Sequence, residues 1–119
     1  MTIKRLQGGP RMSEAVVHNG VVYLAGQVAA DATQDIGGQT RQVLAQIDAL
    51  LAEAGADKTR ILRAQIFLAD VAEFPGMNAV WDGWVAKGNA PARATVQAKL
   101  AKPEWKVEIV VTAALPDRK

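Results

Sequence analysis

Two charged residues stand in surroundings that ask for a reason. Arg93 lies in NAPARATVQAKL (residues 89–100), at the start of a strand pattern and just behind Pro91. A proline-fixed turn is stiff backbone, so the guanidinium that follows it is aimed rather than free to sweep through solvent. Glu108 lies in KVEIVVTAAL (residues 106–115), flanked by Val107, Ile109, Val110 and Val111. Burying that carboxylate costs several kcal/mol unless a partner or a hydrogen-bond network offsets it. Two readings follow. One is structural: an arginine on a strand rim, or a salt bridge from Arg93 or Lys99 to Glu108 that ties strands together or spans a subunit interface. The other is chemical: a pocket with a cationic clamp and a general base. An arginine fork matches a carboxylate bidentately, and a carboxylate can take a proton from water. Spacing alone leaves both open.

The residue inventory narrows what else the chain can do. There is no cysteine, which excludes disulfides, zinc–thiolate sites and thiol catalysis. Serine occurs once, as Ser13, and histidine once, as His18, so a serine–histidine–acid triad would need both singletons to converge. A metal site would have to be built almost wholly from carboxylates, and none is expected. What remains is Arg, Lys, Asp, Glu, Thr, Asn, Gln, Tyr23 and backbone groups. The net charge of +2 is small, and basic residues such as Lys4, Arg11, Arg41, Arg63 and Lys99 are scattered along the chain. That pattern disfavours nucleic acid as a partner. No apolar stretch is long enough to span a bilayer, and MTIKRLQGGP at the start has no apolar run of the signal-peptide kind. A cytoplasmic protein without a membrane partner is the default expectation, as one domain over residues 1–119.

The elements that must hold these residues can be read from periodicity. In AVVHNGVVYLAGQV the Asn19-Gly20 pair suits a type I′ turn, predicting a hairpin of strands 15–18 and 21–28, with a short strand over 2–7 ahead of it. Ile36, Thr40, Val43, Leu44, Ile47, Leu50, Leu51 and Ala54 recur at helical spacing, and Gly55 stands at a C-cap position, predicting a helix over 37–54. In ILRAQIFLAD, Leu62, Ala64, Ile66 and Leu68 alternate with Arg63, Gln65 and Phe67 as in a strand. Phe74, Met77, Trp81, Trp84 and Val85 mark a second helix that Gly88 can end, with the tryptophan pair read as core packing. Strands over 93–100 and 106–115 close the chain, the last apolar enough to be central. The order β-β-β-α-β-α-β-β makes helix-linked strands parallel, with both helices on one face of the sheet. The other face then carries small and apolar groups with nothing over them, which predicts an oligomer packed through that face. Within their own strands, Arg93 shares a face with Thr95, Gln97 and Lys99, and Glu108 with Lys106, Val110 and Thr112.

The segments VVYLAGQVA, QTRQVLAQIDALLAEAGAD, FLADVAEFPGMNAVWDGWV, APARATVQAKL and KVEIVVTAAL, taken in order, resemble the RidA/YjgF family of reactive-intermediate deaminases. The most specific pieces are Ala25-Gly26-Gln27, Pro91-Ala92-Arg93 and Val107-Glu108-Ile109, each weak alone and strong as a collinear set. The resemblance implies a chorismate-mutase-like α+β fold, a mixed six-stranded sheet whose last strand inserts between the third and fourth. It implies homotrimers with sites in clefts between subunits, and cofactor-free hydrolysis of enamine/imine intermediates of the 2-aminoacrylate type to 2-keto acids and ammonia. Carried onto this chain, it makes Arg93 the clamp on the substrate carboxylate and Glu108 the group that activates water. The backbone at Ala25 and Gly26 would contact the bound imino or keto acid, and Asn78 would take a supporting role. The chain departs from the family pattern at Met12, where members carry tyrosine, at Ala25, often serine, and at Thr95, usually cysteine. Met12 and Thr95 would therefore line a less polar pocket wall, which puts substrate range in doubt. A trimeric, non-catalytic binder of small 2-keto or carboxylic acids is the alternative. RNA cleavage or translation inhibition, attributed to some relatives, draws little support from a modest charge and a single histidine.

Overall fold

The computed structural model describes residues 2–117 and consists of one six-stranded sheet with two helices on one side. The strands are β1 (Lys4–Leu6), β2 (Ala15–His18), β3 (Val21–Leu24), β4 (Ile61–Leu68), β5 (Ala92–Gln97) and β6 (Val107–Ala114). The helices are α1 (Ile36–Ala54) and α2 (Phe74–Trp84). Across the sheet the order is β1-β2-β3-β6-β4-β5, so the last strand does insert between the third and fourth. β4 and β5, joined through α2, pair in parallel, whereas β6 is antiparallel to both of its neighbours, β3 and β4.

Local chemistry accounts for most of these boundaries. Asn19 and Gly20 both take positive φ, 53° and 78°, and turn β2 into β3 as the sequence predicts. Asp35 caps α1 by accepting from the Gly38 amide, and Gly55, left-handed at φ 91°, closes it. Thr40, Val43, Leu44, Ile47, Leu50 and Leu51 are buried along one side of α1, against the apolar row Val107, Ile109, Val111 and Ala113 of β6. The sheet face beneath the helices is the core.

Four expectations need correction, the first being the strand that holds Arg93, which stops at Gln97 and leaves Lys99 outside it. The regular β3 ladder stops at Leu24 rather than Val28; the chain steps off the sheet at Ala25-Gly26 and rejoins it at Gln27, which bridges Ile109. A bulge between Ile61 and Arg63 of β4 breaks the alternation, so that Ile61 is buried and Leu62 exposed, the reverse of simple parity. The second helix ends at Trp84, before Gly88; Val85 leaves helical geometry and Lys58 Nζ donates to the Trp84 carbonyl at 2.6 Å, satisfying the helix end with a cation.

The second face of the sheet has no helix over it. On it lie Val96, Phe67 and Glu108 in one cross-strand row, Ala94, Gln65 and Val110 in the next, and Val16, Tyr23 and Thr112 beyond. Tyr23 and Val96 are exposed, and among the described residues no helix is long and apolar enough to cross a membrane.

Candidate active site

Arg93 enters from β5, at the edge of the sheet, and points to the helix side. Its register partner on β4 is Ala64, which is fully buried beneath α2. The helix receives the guanidinium with three residues spaced along one stripe. Asn78 Oδ1 accepts from Arg93 Nη1 at 2.8 Å, and the Arg93 guanidinium carbon sits 5.1 Å from the Trp81 ring centroid and 5.7 Å from that of Phe74. Positions 74, 78 and 81 are i, i+4 and i+7, so a single helical face supplies the amide and both rings. Cation–π attraction of about 0.5–2 kcal/mol per ring holds the charge without consuming its donors. Asn78 takes one N–H of five, and among the described residues no carboxylate pairs with the arginine. Two residues further along the same strand face, the Thr95 hydroxyl is buried and has no hydrogen-bond partner among the described residues. The Trp81/Trp84 pair, with centroids 5.2 Å apart, is core packing as expected, and Trp81 is also one wall of the arginine's seat.

Glu108 belongs to a different surface. It pairs with Phe67 of β4 and projects from the open face of the sheet, while Val107 and Ile109 on either side of it are buried under the helices. Its carboxyl group lies over Gly26, so closely that a Cβ at position 26 would stand 3.0 Å from the glutamate Cδ and 3.2 Å from its Cγ. Only glycine admits this approach. The Ala25-Gly26 turn is anchored on both sides: the Ala25 amide donates to the Glu14 carbonyl at 2.9 Å, and Gln27 exchanges backbone hydrogen bonds of 2.9 and 3.1 Å with Ile109. Met12 is half exposed in the loop between β1 and β2, its carbonyl accepting from the Gly9 amide.

The residues singled out from sequence therefore form two groups. Arg93 and Thr95, with Asn78, sit on the helix side at one edge; Glu108, Ala25 and Gly26 sit on the open face near the middle of the sheet. Arg93 is level with Ala64 and Glu108 with Phe67, which puts their backbones about 10 Å apart along the strands and about 10 Å across them. A single chain does not bring clamp and base together, nor does it form the Arg93–Glu108 or Lys99–Glu108 salt bridge; among the described residues the one ion pair is Lys106 with Glu73, at 4.0 Å. No three His, Cys, Asp or Glu side chains among the described residues gather to hold a metal ion. Sequence reasoning gave Asn78 a supporting role but missed Phe74 and Trp81 as the arginine's aromatic walls. The i, i+4, i+7 spacing of the three residues was the signal available.

Comparison with known proteins gives this geometry a context. Residues 2–115 match the family model described as endoribonuclease L-PSP. The chain is 50% identical over 113 residues to a RutC family protein of Haemophilus ducreyi, covering 95% of this chain and 97% of the relative. It is 48% identical over 115 residues to the RutC family protein YoaB of Escherichia coli, covering 97% and 100%. Its structure superposes on the crystal structure of a YjgF family member from Neisseria meningitidis with a TM-score of 0.96 at 49% identity, over 99% of this chain and 98% of the other.

Proposed function

This chain belongs to the RidA/YjgF family, and from that premise we propose that it hydrolyses reactive enamine/imine intermediates, of the 2-aminoacrylate and 2-iminopropionate type, to 2-keto acids and ammonia. The reaction takes place where the edge of one subunit's sheet meets the open face of the next in a homotrimer. Arg93 of one chain grips the substrate carboxylate with the N–H donors that Asn78 leaves free, and the Thr95 hydroxyl finds its missing partner in the bound acid. Glu108 of the neighbouring chain takes a proton from water as the oxygen adds to the imine carbon. It returns that proton to nitrogen to give the carbinolamine, whose hydroxyl proton then passes through the same carboxylate to nitrogen as the carbon–nitrogen bond breaks; ammonia leaves and the carbonyl of the keto acid remains. The reaction consumes one water, and no redox step or cofactor is needed.

The observation that carries this reading is the guanidinium itself. It is fixed by an amide and two aromatic rings at a sheet edge, beside a buried hydroxyl, and among the described residues neither the hydroxyl has a hydrogen-bond partner nor the guanidinium a carboxylate to neutralise it. A charge so held is prepared for an anion from outside the chain.

The test is a coupled assay in which an amino-acid oxidase generates iminopropionate and its disappearance is followed. Arg93→Ala is expected to abolish the acceleration while the trimer persists. Full activity in that variant removes the mechanism. The separation of Arg93 from Glu108 within one chain also suits the non-catalytic binder of small carboxylic acids. Glu108→Gln divides the two readings: an enzyme loses turnover and keeps keto-acid binding, whereas a binder has no wild-type turnover to lose.

A further inference from the structure

Gln27 is buried, 7% exposed, and every polar atom of its side chain is engaged. Nε2 donates to the Glu14 carboxylate at 3.2 Å and to the Ala25 carbonyl at 3.1 Å, and Oε1 accepts from Gln46 Nε2 at 3.1 Å. Gln46 in turn donates to the Val28 carbonyl at 3.0 Å. One amide thus ties the carbonyl just before Gly26 to β2's approach through Glu14 and to α1 through Gln46. Its main chain meanwhile pairs both ways with Ile109, the residue after Glu108. The step of chain that Gln27 controls is the one on which the Glu108 carboxyl group rests.

We infer that Gln27 is a positioning residue for the hydrolysis: it fixes the Ala25-Gly26 main chain and the Glu108 carboxylate in one geometry, with Glu14 and Gln46 as its supports. This rests on the deaminase reading above. Gln27 is buried but stands outside the apolar cluster beneath the helices. A buried network of this kind is rigid when every member is satisfied, and it loosens when one is removed. Placement of a water-activating carboxylate is sensitive to shifts of an ångström. Arg93 hangs on a separate set of contacts, on α2 at the β5 edge of the sheet, so loosening Gln27 leaves the clamp alone.

The experiment compares wild type with Gln27→Met, which keeps the side-chain length and discards its hydrogen bonds, and with Gln46→Met, which removes the donor to Oε1 together with the bond to the Val28 carbonyl. For Gln27→Met the expected result is a fall in kcat of about tenfold to a hundredfold, with the inhibition constant of the product keto acid within about twofold of wild type. Gln46→Met falls in the same direction and less far, and serves if Gln27→Met does not fold. Unchanged kcat in the folded variants, beside an active wild type, overturns the inference. So does a parallel loss of kcat and keto-acid affinity, which marks general loosening. A wild type without turnover on any imine defeats the deaminase reading itself, and this inference with it.

Discussion

The placement of Arg93 and Glu108 on opposite faces of one sheet makes a quantitative demand on any catalytic assembly. If each site takes its arginine from one chain and its glutamate from the next, two inactive variants must restore each other. Arg93→Ala and Glu108→Gln each destroy every site in their own trimers. In a three-membered head-to-tail ring that contains both, an intact site arises wherever an Arg93 supplied by the Glu108→Gln chain faces a Glu108 supplied by the Arg93→Ala chain. Each of those conditions has even odds in a one-to-one random mixture, so about one quarter of all sites are whole. Every mixed ring, in either composition, holds one such site. Subunits can be exchanged by joint unfolding and refolding or by co-expression with two tags, mixed rings identified by native mass spectrometry, and turnover read in the oxidase-coupled assay. The expected activity is about a quarter of wild type, against essentially none for either variant alone or for Arg93→Ala mixed with the double variant. Mixed trimers without activity refute the shared site. In that case both residues act within one chain, which the strand register forbids, or they do not act together at all.

Two further outcomes follow from close contacts in the same region. Gly26→Ala puts a methyl group 3.0 Å from the Glu108 Cδ and must push the carboxylate aside; turnover is expected to fall about a hundredfold, with the thermal midpoint near wild type, and an active variant would show that this approach is incidental. Gln39 is fully buried at the start of α1, where its Nε2 is shared among the carbonyls of Ala32, Gln34 and Glu104 at 3.1 Å each and its Oε1 accepts from the Lys106 amide at 3.0 Å. Gln39→Leu leaves those groups unpaired and should lower unfolding free energy in urea by about 3 kcal/mol; a change below about 0.5 kcal/mol, the scale of an ordinary surface substitution, would show that water replaces the amide.

The fold was legible where local chemistry decides it. Asn19-Gly20 sets the hairpin, the spacing from Ile36 to Ala54 sets α1, and the nearly continuous apolar run of β6 marks it as central. Where the sequence misled, a long-range contact had overruled the local pattern. Leu62 falls outside because β4 bulges against β6, and where β3 ends early the Glu108 side chain lies against Gly26. The helix of Phe74, Asn78 and Trp81 could be drawn from periodicity, but nothing in that stretch says that its stripe would meet an arginine fifteen positions later.

The relation between clamp and base shows most sharply where local reading stops. Alternation tells which residues of a strand share a face, and it gave Arg93 with Thr95 and Glu108 with Val110 correctly. It cannot tell whether a face of β5 is the same side of the sheet as a face of β6, because those strands never touch; β4 lies between them and fixes the answer through two independent registers. Arg93 is opposite Ala64 and Glu108 is opposite Phe67, three positions apart on β4. An odd separation on the shared strand means opposite faces. Had either register slipped by one residue, the two groups would have emerged on the same side, and the buried row of one strand would have been turned out to solvent. The packing that keeps Ala64, Ile66, Ile109 and Val111 under the helices therefore also forces the arginine and the glutamate apart. If the two groups act together, the parity that builds a core for one chain requires another chain to complete the site.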